Sequence, residues 1–480
     1  METLHFKTVD PVSQELLRNA AGKGFCLNWE RYEKLQPQDG FLRLGLSCPY
    51  GCLQGPCRID PFGRGSHRGI CGLDREGMVA ASLLRLALQG VLETSAVNPV
   101  PCDAKIGFSE PLSQKATASL KLTGADTLNL TEIAQSALLL SRPSASAETL
   151  VRQAIRLALL DIALREGKRK EPDAGEVSVG YGLLAGEAIV IGVTGRISGD
   201  AIEALQNQAS ELKNPEARVV SLGDWIPCNG NFLPLVCTSG EAETVLTSGR
   251  VNLLLAGEGT DPGIPALCTQ MNLPALCAGK NPAAADILKR ARESFNRRTL
   301  GPFAPDAALI GKGRLANDAK ALEGLWKGNP RIALLGGSDT LFHSLGHLPV
   351  ELAKGLRGHD YEVASWGDAA LWMVKQDLPV AILDTQDGAL DAVRALAQTA
   401  RLASLKGIFF TGLKGNRDFT LALGLAGLGL KVSLSTPLPL WGSEKIRALL
   451  RENLAAAGGI LTHLDHPAGA DEILDWFLRS

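Results

Sequence analysis

At 480 residues, 45% hydrophobic and 21% charged, the chain is too long for one core and is sized for about three domains. Its formal net charge of -2 gives nucleic acid and anionic membranes no electrostatic hold on it, so no nucleic-acid partner is expected. Ten cysteines beside 52 glycines and few aromatics suit an α/β protein of many tight turns, not a disulfide-dense secreted scaffold.

The opening METLHFKTVDPVSQ has no basic stretch followed by an apolar one. No secretory signal is expected, and the expected compartment is the cytoplasm. No apolar run approaches the roughly 18 residues of a membrane span, so no span is expected. The next segment, CPYGCLQGPCRIDPFGRGSHRGICGLD, places Cys48, Cys52, Cys57 and Cys71 in a C-x3-C-x4-C-x13-C pattern. Beyond it, residues up to 185 read as helical. The clearest helix is AETLVRQAIRLALLDIALREG, whose stripe runs through Leu150, Val151, Ala154, Ile155, Ala158, Leu159, Ile162 and Ala163. Gly167, the basic run Lys168–Arg169–Lys170 and Pro172 read as its stop, with the basic run a solvated helix end.

The texture changes near residue 187. AIVIGVTG, ARVVSLGD and VNLLLAGEG are short apolar runs ending in Gly or Asp, as strands of a parallel sheet do. A second series runs through RIALLGGSD, PVAILDT, GIFFTGLKG and LKVSLSTP. The stretch from about 281 to 328 lacks strand runs and reads as the boundary. The expected architecture is therefore α/β: an N-terminal helical cluster-binding domain (1–185) followed by two Rossmann-like parallel-sheet domains (186–328 and 329–480). IVIGVTGRISGD and IALLGGSDTL both look like a strand, a Gly-rich turn and a helix start. Neither holds a full G-x-G-x-x-G, so tight βα turns are the better reading than nucleotide-binding loops.

Clustered cysteines in a chain without a secretory signal point to metal or redox chemistry. Four soft thiolates on a Gly/Pro-rich loop are what an iron–sulfur cluster needs. Gly51, Gly55, Pro56, Gly69 and Gly72 allow close backbone approach to its sulfides. Zinc also takes four cysteines, but its usual paired C-x2-C knuckles are absent. Four unrelated core cysteines is the remaining alternative.

The run CLQGPCRIDPFG…GICGLD resembles the N-terminal cluster motif of nickel-dependent carbon monoxide dehydrogenases, a family that shares a superfamily with the hybrid-cluster proteins. The resemblance implies a [4Fe–4S] cluster held by Cys48, Cys52, Cys57 and Cys71 that relays electrons. The family has two residues between the first two ligands where this chain has three. Its intersubunit cluster needs a cysteine pair just upstream, and the matching positions are Asp39 and Ser47, with Cys26 too distant to substitute. Its nickel–iron–sulfur cluster needs one His and five Cys. Those positions fall on residues 194–196, on Cys237, near Thr260, on Ser338, on Asp368 and around Leu413. Only Cys237 keeps a thiol, so nickel is not expected: Ser, Thr, Asp and Leu do not replace thiolates in a soft site. The family's proton-handling His falls near Thr94, and its Lys is kept as Lys445, a weak catalytic candidate better read as a surface or salt-bridged side chain.

Cys228, Cys237, Cys268 and Cys277 form C-x8-C-x30-C-x8-C near predicted strand ends, where a second iron–sulfur cluster could sit. The apolar surroundings of Cys268 and Cys277 favour plain burial. His343 and His347 would share a helix face if helical and, with Asp339, could bind a metal, although surface roles are the better reading for them and for His463 and His466.

These readings leave three expected functions. The first is a carbon monoxide dehydrogenase-like redox or accessory protein without the nickel site, exchanging electrons with a ferredoxin-like or flavoprotein partner. The second is a divergent enzyme of the family, a carbon monoxide dehydrogenase or a hydroxylamine reductase-like enzyme, using a rearranged cluster. The third is a non-redox scaffold or metal-delivery module with a structural cluster. A homodimer is implied only by the resemblance.

Overall fold

The computed structural model describes residues 6–35, 40–100, 106–108, 110–166, 175–298, 303–316, 322, 326, 331–383 and 387–479. Asp39, Cys102 and the expected stop at Gly167, Lys168–Lys170 and Pro172 lie outside these residues.

Two helices organise the N-terminal part. Arg75–Val97 starts where Asp74 caps it, its carboxylate accepting from Gly77 N at 2.9 Å. Ala147–Glu166 carries the expected stripe but is buried on nearly every side. A third helix, Asn416–Gly427, packs against both, and all three share one core with the C-terminal sheet. The helical part and the last lobe are thus joined by a continuous apolar interior. Arg165 pins the junction. Its Nε donates to Asp161 at 2.7 Å and its Nη2 to the Arg417 carbonyl at 2.8 Å, and it pairs with Asp387. Burial opposes the charge of Arg165, but the two carboxylates outweigh it and hold the guanidinium's pKa above its ordinary value.

The first lobe contains β1 (Glu176–Val179), β2 (Ile189–Thr194), β3 (Ala217–Gly223), β4 (Pro227–Cys228), β5 (Asn231–Phe232), β6 (Leu235–Thr238), β7 (Leu253–Ala256), β8 (Ala275–Cys277) and β9 (Gly311–Arg314). The second contains β10 (Ile332–Gly337), β11 (Glu362–Trp366), β12 (Ala381–Ile382), β13 (Leu405–Gly412), β14 (Lys431–Leu434) and β15 (Ile460–Thr462). Among the described residues, seven strands pair in the order β8-β7-β2-β3-β6-β1-β9, six in the order β12-β11-β10-β13-β14-β15, and β4 and β5 form a hairpin. Both sheets are parallel except for β9, which runs antiparallel to β1. The six-stranded sheet has the doubly wound strand order, reversing between β10 and β13. The other reverses between β2 and β7. Strands such as β2 and β10 are buried throughout, which is why they read as unbroken apolar runs.

Two strands escape the sequence reading. β1 begins at Glu176, ahead of the expected boundary at 186, and β9 lies inside the stretch that lacked strand runs. Gly311–Arg314 reads GKGR, and its backbone closes the sheet edge without apolar side chains of its own.

The start of the chain is fastened to both lobes. Lys375, fully buried, donates to both oxygens of Glu241 at 2.8 and 2.9 Å and pairs with Asp10. Ser13 joins the same group through Tyr181 at 2.6 Å. Burial disfavours the ammonium of Lys375, but Glu241 and Asp10 prevail and push its pKa up to about 12. Among the described residues no helix is long and apolar enough to cross a membrane.

Candidate functional site

Cys48 and Cys57 stand side by side because the chain doubles back on itself: Ile59 N donates to Leu46 O at 3.1 Å and Cys48 N to Cys57 O at 2.9 Å. Cys52 sits on the exposed turn between them, closed by Gly55 N to Cys52 O at 3.0 Å. Cys71, also exposed, lies in the turn closed by Gly72 N to Gly69 O at 2.9 Å, just ahead of the capped helix. The thiols of Cys48, Cys57 and Cys71 are near enough to feel each other's charge. Burial raises the pKa of Cys48, and a thiolate at Cys57 or Cys71 raises it further. Tyr50 is pushed up to about 12 by burial and by the charges of Cys48 and Cys71. Its buried hydroxyl has no hydrogen-bond partner among the described residues.

This donor set suits an iron–sulfur cluster. Ile70 N points at Cys57 Sγ from 3.5 Å, the amide-to-sulfur contact such groups use. Gly69 lies beside it, where a Cβ would stand 3.4 Å from Cys57 Cβ and Met78 Cε. Among the described residues no three His, Cys, Asp or Glu side chains close around a single ion. A cubane interposes four irons between its thiolates and so takes donors standing further apart than zinc does.

The second quartet is not brought together. In register, Cys237 pairs with Leu222, and Cys277 pairs with Ala256 beside Thr194. Cys237 and Cys277 therefore lie four strands apart, about 19 Å at ordinary strand spacing. Cys228 packs on the opposite face of the sheet from Cys237 and Cys268. Burial raises the pKa of Cys228, Cys237 and Cys268, the mark of inert core thiols.

The remaining candidates disperse. Lys445 is exposed at the start of the helix Glu444–Ala456. His347 begins the helix His347–Gly358, whereas His343 precedes it, so the two do not share a helical face. Asp339 faces Trp372 Nε1 at 2.8 Å and is buried with Asp368. His463 packs edge-on against Trp441, and burial, then Arg447, lowers its pKa to about 4. His466 pairs with Asp465 and Glu472 at the surface. Ser47 is buried, bridging to Arg58, and Cys26 lies apart beside Lys34.

A polar crevice of about 280 Å³ lies where both sheets reverse, at the carboxyl ends of their strands. Gly195 and Arg196 follow β2, Glu258 and Gly259 follow β7, Ser338 follows β10, Asp368 follows β11 and Lys414 follows β13. The positions that the resemblance assigns to the nickel cluster thus gather here or next to it, carrying Arg196, Ser338 and Asp368. Cys237 is fully buried in β6 and does not line the space, and Thr260 bonds the carbonyls of Thr194 and Gly257.

The crevice carboxylates are answered by the protein itself. Asp224 accepts from Gly195 N at 2.7 Å and Thr194 Oγ1 at 2.9 Å. Asp368 accepts from Ser239 N at 2.9 Å, Ser239 Oγ at 2.5 Å and Asp339 N at 2.8 Å, locking one lobe to the other. Asp418 accepts from Ser338 Oγ and Lys414 N, both at 3.3 Å. Burial raises the pKa of Asp368 and Asp418, and it raises Asp339 furthest, because the charge of Asp368 adds to it. The Gly-rich turns serve close packing. A Cβ on Gly195 (φ +76°) would meet Thr260 Oγ1 at 2.5 Å, and one on Gly337 (φ +113°) would meet Gly412 O at 2.5 Å. Sequence reasoning missed Asp224, Trp225, Lys414, Arg417 and Asp418 as lining residues. Their signal was position alone: each follows the end of an apolar strand run.

Fold and site together define a two-lobed α/β protein with a helical N-terminal part that presents a cysteine loop. No protein-family model matches the chain. A carbon monoxide dehydrogenase 1 of Methanosarcina mazei is 46% identical to it over 89 residues, 18% of this chain and 14% of that protein. The Methanosarcina acetivorans enzyme of the same name is 34% identical over 172 residues, 36% of this chain and 25% of that protein. The matched stretches therefore span a quarter or less of those relatives. Carbon monoxide dehydrogenase IV from Carboxydothermus hydrogenoformans superposes over 99% of both chains with a TM-score of 0.77 at 19% identity. A nickel-free carbon monoxide dehydrogenase from Thermococcus sp. AM4 does so over 99% of this chain and 98% of that one, with a TM-score of 0.76 at 16% identity. Parts of the chain are thus similar in sequence to carbon monoxide dehydrogenases, and the whole of it shares their fold.

Proposed function

We propose that the chain is an iron–sulfur redox protein of this family, with an electron-transfer or accessory role and without the nickel–iron–sulfur site. What supports this reading is the nearness of Cys48 to Cys57 and Cys71, with Cys52 on the intervening turn, together with a Tyr50 hydroxyl that has no hydrogen-bond partner among the described residues and an Ile70 amide facing sulfur. A [4Fe–4S] cluster held by these four cysteines would supply one-electron chemistry. The Ile70 amide would steady thiolate charge at Cys57. The outer face is open: Leu53, Phe62 and Ile70 are exposed around the cysteines, which supports approach by a ferredoxin-like or flavoprotein partner or by a second copy of the chain. The crevice offers Arg196, Ser338, Asp368 and Lys414, hard or cationic groups unsuited to a soft nickel site.

Anaerobic reconstitution with iron and sulfide tests the proposal. The expected product holds about four irons per chain, no stoichiometric nickel, and one dithionite-reducible signal by electron paramagnetic resonance. Carbon monoxide oxidation with a viologen acceptor should be absent. Nickel uptake with robust turnover would sink the reading.

A further inference from the structure

The crevice has a use of its own, independent of the cysteine loop. Its aspartates are already engaged: Asp224, Asp368 and Asp418 take hydrogen bonds from backbone amides and hydroxyls of the surrounding turns. Of the two glutamates that also line it, Glu258 pairs with Arg196, and burial raises the pKa of Glu93. Donors remain. Trp225 lines the space, and its buried indole Nε1 has no partner among the described residues. Lys414 meets Asp261 at 2.8 Å, one partner for a group with three donors. Burial works against its charge, but Asp261 and the nearby Asp368 and Asp224 keep it cationic. Arg196 pairs with the exposed Glu258 at 3.4 Å and lies near enough to Glu93 to act on its charge. A space that keeps donors in hand after its aspartates are satisfied selects a ligand rich in acceptors. A volume of about 280 Å³ falls just below the range of drug-sized pockets, so the ligand is small.

We propose that this crevice binds a small oxyanion, a carboxylate or a phosphate, grasped by Arg196 and Lys414 with the Trp225 Nε1–H as third donor. Two cations and an indole N–H at the strand ends give charge-assisted bonds to separate oxygens of one ligand. The fixed turns on either side hold the donors in place beforehand, because Asp368 ties Ser239 of one lobe to Asp339 of the other.

Titration calorimetry on the full chain, without iron and after reconstitution, tests this with three probes: inorganic phosphate, oxalate and acetate, each against equal ionic strength of sodium chloride. One probe class should bind saturably at a single site, equally in both preparations. Phosphate alone would name a phosphate site, and the dicarboxylate or acetate alone a carboxylate site. Arg196→Gln should weaken binding by at least about tenfold, the effect of losing one charge-assisted bond. Trp225→Phe, which keeps the ring and removes the donor, should weaken it by about two- to tenfold. Both variants should take up wild-type iron, which separates a failure here from a failure of the cluster reading. Lys289→Met, on the helix Ala284–Arg297 and outside the crevice lining, should bind as wild type. Absence of saturable binding by every probe, or affinity unchanged in Arg196→Gln, overturns the proposal.

Discussion

The cysteine loop and the crevice use their polar groups in opposite ways. The loop is solvent-facing and soft: its thiols sit on turns, and the Tyr50 hydroxyl beside them is left without a partner among the described residues. The crevice is polar and hard: its aspartates each hold two or more internal donors, and Arg196 and Lys414 keep donors to offer. On the proposed reading the first region is completed by an added group, whereas the second holds its own shape first and offers a ligand what is left over. Both belong to one fold, so the difference is a matter of side chains and not of topology.

Four changes break or sharpen that contrast. The most severe is Cys57→Ser. A hydroxyl replaces a soft thiolate, and iron in the reconstituted protein should fall from about four per chain to below about one. Iron analysis and visible absorbance read it, and retained iron would erase the distinction between the regions. Next is Arg165→Leu, which removes the cation paired with Asp161 in the core beside the crevice and leaves Asp387 to Arg417. Removing one partner of a buried ion pair costs about 3–5 kcal/mol, read by denaturant titration, while iron per folded chain stays unchanged. Third, Cys237→Ala should cost about 1 kcal/mol as a small core truncation and leave iron alone. An accompanying loss of iron would restore a metal role to that cysteine.

The smallest effect is on pH dependence. Burial and the charge of Asp368 raise the pKa of Asp339 in the folded protein. Its contribution to stability is therefore full below the unfolded carboxylate value of about 3.9 and is lost as pH rises through the raised value. Asp339→Asn cannot ionise, so the decline of thermal stability as pH rises above the unfolded carboxylate value should flatten. An identical slope in the variant would mean that Asp339 does not titrate in that range.

The sequence made the buried strands legible because parallel strands covered on both faces leave unbroken apolar runs, as in Ile189–Thr194 and Ile332–Gly337. It hid Gly311–Arg314, whose edge pairing rests on backbone bonds and a Lys312–Glu176 ion pair and shows no apolar run. The cysteine loop was visible because its residues lie close together in the chain. The quartet of Cys228, Cys237, Cys268 and Cys277 misled for the reverse reason: nearness to predicted strand ends says nothing of sheet face or of strand order. Trp225 and Lys414 were unreadable as partners because they come from different lobes, and only folding sets them across one space.

The buried ammonium of Lys375 carries a consequence for biogenesis. Asp10 leaves the ribosome long before the cation that neutralises it, and Glu241 waits as well. The helix Pro11–Gly22, which Asp10 caps, therefore cannot settle finally until the last lobe has been translated. Such distant closure slows folding and prolongs exposure of unfinished surface. Newly made chains should depend on chaperones until Lys375 emerges, and chains cut short before residue 375 should accumulate as aggregates.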